Sequence, residues 1–267
     1  MKIALLCDTH CGIRNSSEVF LDNAEDFYTN IFFPECEKRG VKQILHLGDY
    51  YDHRKFVNFK ALNQNRRVFL DQLRKHKMVM DIIPGNHDTY YKNTNELNAL
   101  KECLGHYMNE VHIIMEPTVM QYGSLSMALL PWICADNYEP SMNFIRDCKA
   151  DWLGAHLELA NFEIGRGILA PHGMDAKIFK KFEQVLSGHY HTASRRDNIW
   201  YLGNPMEFFW SDAHDPKFFH ILDTESRQIE KIQNTYTLFE KIVYNDKEMD
   251  YNNYNKNLSK KFVKVVV

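Results

Sequence analysis

Three apolar runs of strand length, Lys2–Cys7, Gln43–Leu47 and Met78–Ile83, alternate with two longer stretches of helical periodicity. Runs that are apolar throughout suit strands buried on both faces. The stripes Phe20, Ala24, Phe27, Ile31 and Phe59, Leu62, Phe69, Leu73 suit helices that cover such a sheet. Gly40 closes the first helical region, and the second is expected from about Asn58 to His76. A β-α-β-α-β order requires parallel strands with helical crossovers, and an open sheet of that kind gathers its functional groups just past the carboxyl ends of its strands.

From about Val111 the texture changes to short β-like runs: Val111–Met115, Thr118–Tyr122, Leu125–Leu130, Trp152–Ala155, Val185–Ser187, Ile199–Leu202 and Phe218–Leu222. They predict a second sheet. The expected fold is α/β, a four-layer α-β-β-α sandwich of two mixed sheets over residues 1–237, with a boundary near 237 and a separate segment at 238–267. A chain of 267 residues with 45% apolar and 25% charged residues has the material for a large core, which excludes disordered and collagenous classes. Its net charge of −3 gives no global pull toward nucleic acid or anionic membrane, so a nucleic-acid partner would have to meet a local patch. The six cysteines include no C-x-x-C pair and read as reduced thiols; no run approaches a signal peptide or a membrane span. A cytoplasmic protein with no membrane partner is expected.

Five polar clusters each follow a predicted strand. They are Asp8-Thr9-His10, Gly48-Asp49, Gly85-Asn86-His87-Asp88, His156 and Gly188-His189-Tyr190-His191. A single D-x-H is most often a core histidine satisfied by backbone; five such clusters in order at strand ends are not. Asp8, His10, Asp49, Asn86, His156, His189 and His191 offer nitrogen and oxygen donors for two divalent ions that share a carboxylate. The absence of thiolates points away from structural zinc, toward manganese, iron or catalytic zinc. In extended chain, residues i and i+2 point the same way, so Asp8 with His10 and His189 with His191 can each present a pair of donors to one cavity. Gly48, Gly85 and Gly188 stand where a Cβ would obstruct close approach of the backbone.

These residues resemble the calcineurin-like metallophosphoesterase superfamily. Asp8-Thr9-His10-Cys11-Gly12, Gly48-Asp49-Tyr50-Tyr51-Asp52, Gly85-Asn86-His87-Asp88 and Tyr201-Leu202-Gly203-Asn204-Pro205 are similar to the SbcD-type nuclease subunit, the meiotic recombination eleven family, over residues 1–240 or so. The resemblance implies that Asp8, His10 and His191 hold one ion, that Asn86, His156 and His189 hold the other, and that Asp49 bridges them. It implies two divalent ions, manganese first, with magnesium, iron or zinc as alternatives. His87 would be the catalytic histidine that is not a ligand, with Asp88 orienting its imidazole. Either Asp52 or His53 would contact substrate. The activity implied is exonuclease and endonuclease processing of DNA ends in repair, recombination and replication. The partners implied are single-stranded and duplex DNA, an SMC-like repair ATPase and a second copy of the chain. Phage members of the family are recombination nucleases, and in that case the compartment is the host cytoplasm.

Phosphomonoesterases of the same superfamily carry G-D-x-V-D-R-G and G-N-H-E, which this chain lacks; a non-catalytic scaffold that recruits an ATPase would have lost a ligand position, and all are present. Local cations and rings near the clusters nominate Tyr50, Tyr51, His53, Arg54, Lys55, Tyr90, Arg195 and Arg196 for DNA contact, with Lys60 and Tyr91 beside them. The stripe Phe59–Leu73 and the segment Leu97–Leu104 are expected at a two-fold contact. The polar segment Asp246–Lys261 precedes a last run, Phe262–Val267, that reads as a strand without a partner. The resemblance places a small capping domain after the sandwich, of which 238–267 would be the partial opening, and then a helical segment that binds the ATPase. The chain is therefore expected to be a truncated nuclease core with weakened duplex grip and ATPase docking.

Overall fold

The computed structural model describes residues 1–165, 167–245, 247 and 257–267. In chain order the strands are β1 (Lys2–Leu6), β2 (Gln43–His46), β3 (Val79–Ile82), β4 (Val111–Ile113), β5 (Thr118–Tyr122), β6 (Leu125–Leu130), β7 (Trp152–His156) and β8 (Glu163–Gly165). They continue with β9 (Ile168–Leu169), β10 (Gln184–Gly188), β11 (Ser194–Arg196), β12 (Ile199–Tyr201), β13 (Lys217–Asp223), β14 (Gln228–Asn234), β15 (Phe239–Val243) and β16 (Phe262–Val266). One six-stranded sheet has the order β14-β13-β1-β2-β3-β4 and the other β11-β12-β10-β7-β6-β5. Both are mixed: β1 to β4 run parallel, as do β6, β7, β10 and β12, while β13, β14, β5 and β11 pair antiparallel.

Strand alternation builds the layers. Ile3, Leu5, Leu45 and Leu47 point to a core shared with Met127, Leu129, Leu186 and Trp200 of the other sheet. Their neighbours Ala4, Leu6 and Ile44 point outward, against Phe27, Phe32, Phe69 and Leu73 from the helical layer. The second sheet covers its other side in the same way, with Leu153, Val185 and Tyr201 against Ile145, Phe179 and Phe182. Three apolar interfaces between four layers are the expected sandwich. The helices Glu18–Phe27 and Phe59–Asn65 each continue through a π turn, Tyr28–Phe32 and Arg66–Leu70. There the rings of Tyr28 and Phe69 meet with centroids 4.8 Å apart, and the wider turn makes room for them.

Two expectations need correction. The change of texture at Val111 is not a change of sheet: β4 closes the first sheet, and β13 and β14 return to it across β1. Residue order along the chain carries no record of which sheet a short run joins. The last run does have a partner, because β16 pairs in parallel with β15 from Phe239↔Phe262 to Val243↔Val266. Phe262 stacks on Phe239 at 5.5 Å and packs tilted against Phe20 at 5.8 Å, which ties this small sheet to the helical layer. Most of the segment 246–261 lies outside the described residues. The two stripes nominated for a two-fold contact send Phe69, Leu73, Leu100 and Leu104 into their own core and leave Phe59 and Leu97 exposed.

Leu5 is fully buried between the sheets. Leu5→Ala is expected to lower stability by about 2–5 kcal/mol in denaturant titration. A loss under about 1 kcal/mol would mean that the two sheets do not share a close-packed core.

Candidate metal centre

The parallel register sets the ends of β1, β2, β3, β7 and β10 at one edge of the sandwich, and the loops that leave them carry the five clusters. Asp8 N–H donates to the Gly48 carbonyl at 3.0 Å and His10 N–H to that of Asp49 at 3.1 Å, so the first two loops run as a continuation of the sheet. Asp8, His10, Asp49 and His189 all have positive φ, 51°, 43°, 53° and 92°, which turns each side chain inward immediately after its strand. Gly48 (φ 89°) is required twice: a Cβ there would lie 2.6 Å from His156 Nδ1 and 2.7 Å from the Gly85 nitrogen. A Cβ on Gly85 would collide with the Asp49 carboxylate.

The buried Asp49 carboxylate stands at the centre. Its Oδ1 accepts the His87 backbone N–H at 2.7 Å. Its Oδ2 lies 3.8 Å from His10 Nε2 on one side and 3.5 Å from His156 Nε2 on the other. On the first side Asp8, His10 and His191 bring donor atoms within 4.8 Å of one another, with His10 Nε2 and His191 Nε2 2.9 Å apart. On the second side Asp49, His156 and His189 do the same. Asn86 Oδ1 joins them, 3.0 Å from His156 Nε2 and 2.7 Å from His189 Nδ1.

These donor sets fit cations. His156 Nδ1 donates to the Leu47 carbonyl at 2.7 Å, which leaves the Nε2 lone pair facing two oxygens, Asn86 Oδ1 and Asp49 Oδ2. Three acceptors converge with no donor among them unless a proton or a metal ion lies between. Burial by itself would push His156 down, but Asp49, Asp8 and the Leu47 carbonyl outweigh it and raise it to about 9. Burial and the neighbouring His156 charge push His189 down to about 3, leaving its imidazole neutral. Burial and His10 hold His191 well below the usual range.

The catalytic nominees divide. His87 is half-buried, and its Nδ1 donates to the Asp52 carbonyl at 2.6 Å, which fixes the ring and leaves Nε2 as its free nitrogen. The ring lies edge-on to His10 at 4.9 Å, and His87 is also close enough to His10 and Asp52 to share an ion with them. Asp88 does not orient it. The buried Asp88 carboxylate accepts backbone N–H groups from Gly85, Tyr50 and Tyr51 at 2.9–3.0 Å, stitching the second loop to the third. The Asp52 carboxylate faces His10 Nδ1 at 3.4 Å and so holds a ligand candidate in place. His53, about a third exposed, stacks on Phe56 at 4.5 Å and is the one of the pair open to a substrate.

The nominated DNA contacts divide as well. Tyr50 and Tyr51 are 1% and 0% exposed, so their rings belong to the core and cannot stack on bases. The Asp88 clamp on both backbone nitrogens turns them inward. His53, Arg54, Lys55, Phe56 and Tyr90 line one groove beside the Asp49 loop, with Lys55 over the Tyr90 ring at 5.7 Å. Lys60 is paired with Glu18, and Tyr91 is exposed. Arg195 and Arg196 are not brought to the ligands. Arg195 covers Trp200 at 5.5 Å on the edge of the sandwich and donates to Gln184, and Arg196 covers Phe162 at 6.0 Å. Sequence reasoning passed over Trp132, whose ring is 5.3 Å from His189, and Phe208, edge-on to His10 at 5.7 Å. Trp132 follows a strand end, the signal used for every other cluster. Phe208 follows the Gly203-Asn204-Pro205 turn.

The raised His156 fixes the sign of a pH effect in metal-free protein. A histidine held at about 9 when folded, above its ordinary ~6.5, contributes stability that is full below pH ~6.5 and is lost as pH rises through about 9. Thermal melts in EDTA should fall across that window, and manganese should reverse the fall as it displaces the proton. A melting temperature that is level from pH 6.5 to 9 in EDTA would contradict this placement of His156.

The model of the calcineurin-like phosphoesterase family matches residues 1–216. A protein of Enterobacteria phage T4 named exonuclease subunit 1 is 31% identical over 268 residues, spanning 100% of this chain and 77% of that protein. Among solved structures, an archaeal phosphodiesterase aligns with 88% of this chain and 100% of its own at 15% identity and a TM-score of 0.43. A protein of Thermus thermophilus aligns with 87% of this chain and 98% of its own at 11% identity and a TM-score of 0.47. A family match over most of its length, on a fold whose strand ends converge on one Asp- and His-rich cluster, leaves one classification: the chain belongs to the calcineurin-like phosphoesterase family.

Proposed function

We propose that the protein is a two-metal DNA phosphodiesterase that trims and nicks DNA at ends during repair and recombination. The observation that carries the reading is the position of Asp49 Oδ2 between the His10 and His156 imidazoles, 3.8 Å and 3.5 Å away. One carboxylate oxygen placed to serve two donor sets is what a binuclear hydrolase needs. The likeness to a phage exonuclease subunit supports DNA as substrate. In this reading Asp8, His10 and His191 hold one ion, Asn86, His156 and His189 the other, and Asp49 both. Manganese is the expected metal because imidazole-rich sites favour it over magnesium. Two such ions would neutralise the scissile phosphate and lower the pKa of water at the site.

The protein's own groups do the rest. His87, anchored through Nδ1, presents Nε2 to the leaving oxygen and delivers the proton that an alkoxide requires. Asp88 keeps Asp49 and His87 on neighbouring loops at fixed separation. The groove of His53, Arg54, Lys55 and Tyr90 receives the strand beside the ions. The reading extends to an SMC-like ATPase as partner and to a homodimer through the Phe59–Leu73 helix and the Leu97–Leu104 segment, where Phe59 and Leu97 are exposed, with a nuclease domain at 1–237 and a capping segment at 238–267. No helix among the described residues is long and apolar enough to cross a membrane, and the proposed location is the cytoplasm of the host cell.

Hydrolysis of bis-p-nitrophenyl phosphate in manganese, faster than that of p-nitrophenyl phosphate and abolished by EDTA, is the expected result. Preference for the monoester would favour a phosphatase, and activity in EDTA would rule out the metal mechanism. His87→Ala should keep its metal content and lose about 10²–10⁴-fold in cleavage rate. Loss of metal along with activity would make His87 a ligand.

A further inference from the structure

One cation beside the ligand cluster has no part in that mechanism. Phe209 stacks on His191 with ring centroids 6.0 Å apart and planes 23° from parallel, and the Arg14 guanidinium lies over the Phe209 ring at 4.6 Å. Arg14 Nε donates to the Phe208 carbonyl at 3.1 Å, which fixes the plane of the fork. Like Arg54, Arg66, Arg195 and Arg196, and unlike Arg39, Arg67, Arg74, Arg146 and Arg227, Arg14 has no carboxylate partner among the described residues; of the five without one it is the one stacked beside a ligand candidate. Its backbone is also unusual. Arg14, Asn15 and Ser16 have φ of 55°, 57° and 58°, a left-handed turn that is costly for Arg14 and Ser16 and more readily taken by Asn15. Arg14 and Asn15 are exposed, so burial does not explain the turn.

We propose that Arg14 is a substrate-binding residue that grips the phosphodiester flanking the scissile one, on the side of the cluster occupied by His10 and His191. This rests on the nuclease reading above. An exposed arginine ordinarily samples many rotamers; this one is held by a ring on its face and a carbonyl on its Nε, and its terminal nitrogens have no hydrogen-bond partner among the described residues. A fixed planar fork without a counter-charge suits a phosphate, which it can meet with two parallel hydrogen bonds. Because the clamp stands one ring beyond His191, it also sets register. A phosphate seated on Arg14 determines which bond of the strand reaches the ions.

The test is a set of single-stranded ten-nucleotide DNAs in which each phosphate in turn is a neutral methylphosphonate. Binding in manganese is read by fluorescence anisotropy on His87→Ala protein, with and without Arg14→Gln or Arg14→Lys. Cleavage is read with His87 intact. Arg14→Gln should weaken binding of the unmodified strand about tenfold and reduce the salt slope by about 0.7, the value for one lost contact to a single strand. One methylphosphonate position should cost protein with Arg14 a similar factor and cost the Arg14→Gln protein nothing. Arg14→Lys should regain the slope but only part of the affinity, since an ammonium lacks the stacked plane. Identical methylphosphonate profiles with Arg14 and with Arg14→Gln, both folded by thermal melting, would overturn the clamp. Coupling in binding without cleavage by the His87 protein would instead count against the nuclease reading and leave the clamp standing.

Discussion

A carboxylate buried between two imidazoles is expensive unless positive charge lies beside it, and Asp49 has been placed in that situation by the whole sandwich. Its neighbours come from both sheets: His10 and His87 from the ends of β1 and β3, His156 from the end of β7. The inter-sheet core of Ile3, Leu5, Leu47, Leu129 and Leu186 therefore has a second role beyond stability. It fixes the distance across which one carboxylate oxygen can serve two groups of donors. Gly48 and Gly85 keep the loops close enough, and Asp88 ties the Asp49 loop to the His87 loop through the Tyr50 and Tyr51 backbone nitrogens while accepting that of Gly85 within its own loop.

The site is assembled against local preference. Asp8, His10 and Asp49 take positive φ, and so does the run Arg14 to Ser16 that follows, at about 1–2 kcal/mol for residues such as His10, Arg14 and Ser16 and less for Asp8, Asp49 and Asn15. Such strain persists only where surrounding structure over-determines it, as the loop-to-loop hydrogen bonds of Asp8 and His10 do here. The rim is aromatic: Trp132 against His189 and His156, Phe208 against His10, Phe209 against His191. These rings pack against the imidazoles and so restrict their orientation.

Much of this was legible in the residues. Apolar runs of strand length, helical stripes and polar clusters at strand ends led to the four layers and to the cluster of Asp8, His10, Asp49, Asn86, His156, His189 and His191. Chain order obscured sheet membership, so the return of β13 and β14 to the first sheet and the pairing of β16 with β15 were missed. Roles that depend on side-chain direction were the least legible. Tyr50 and Tyr51 sit beside Asp49 in sequence yet point into the core, because Asp88 holds their backbone nitrogens. Arg195 follows His191 closely yet turns to the sheet edge, where Trp200 offers it a ring. Arg14, by contrast, is not part of any polar cluster, and only the fold brings Phe209 beneath it.

The central claim is that Asp49 bridges two ions, and anomalous scattering from manganese-loaded crystals tests it most directly. The account predicts two peaks about 3.5–4 Å apart, one among Asp8, His10 and His191 and one among Asn86, His156 and His189, with Asp49 Oδ2 between them. A single peak, or two peaks with Asp49 bound to only one, would contradict it.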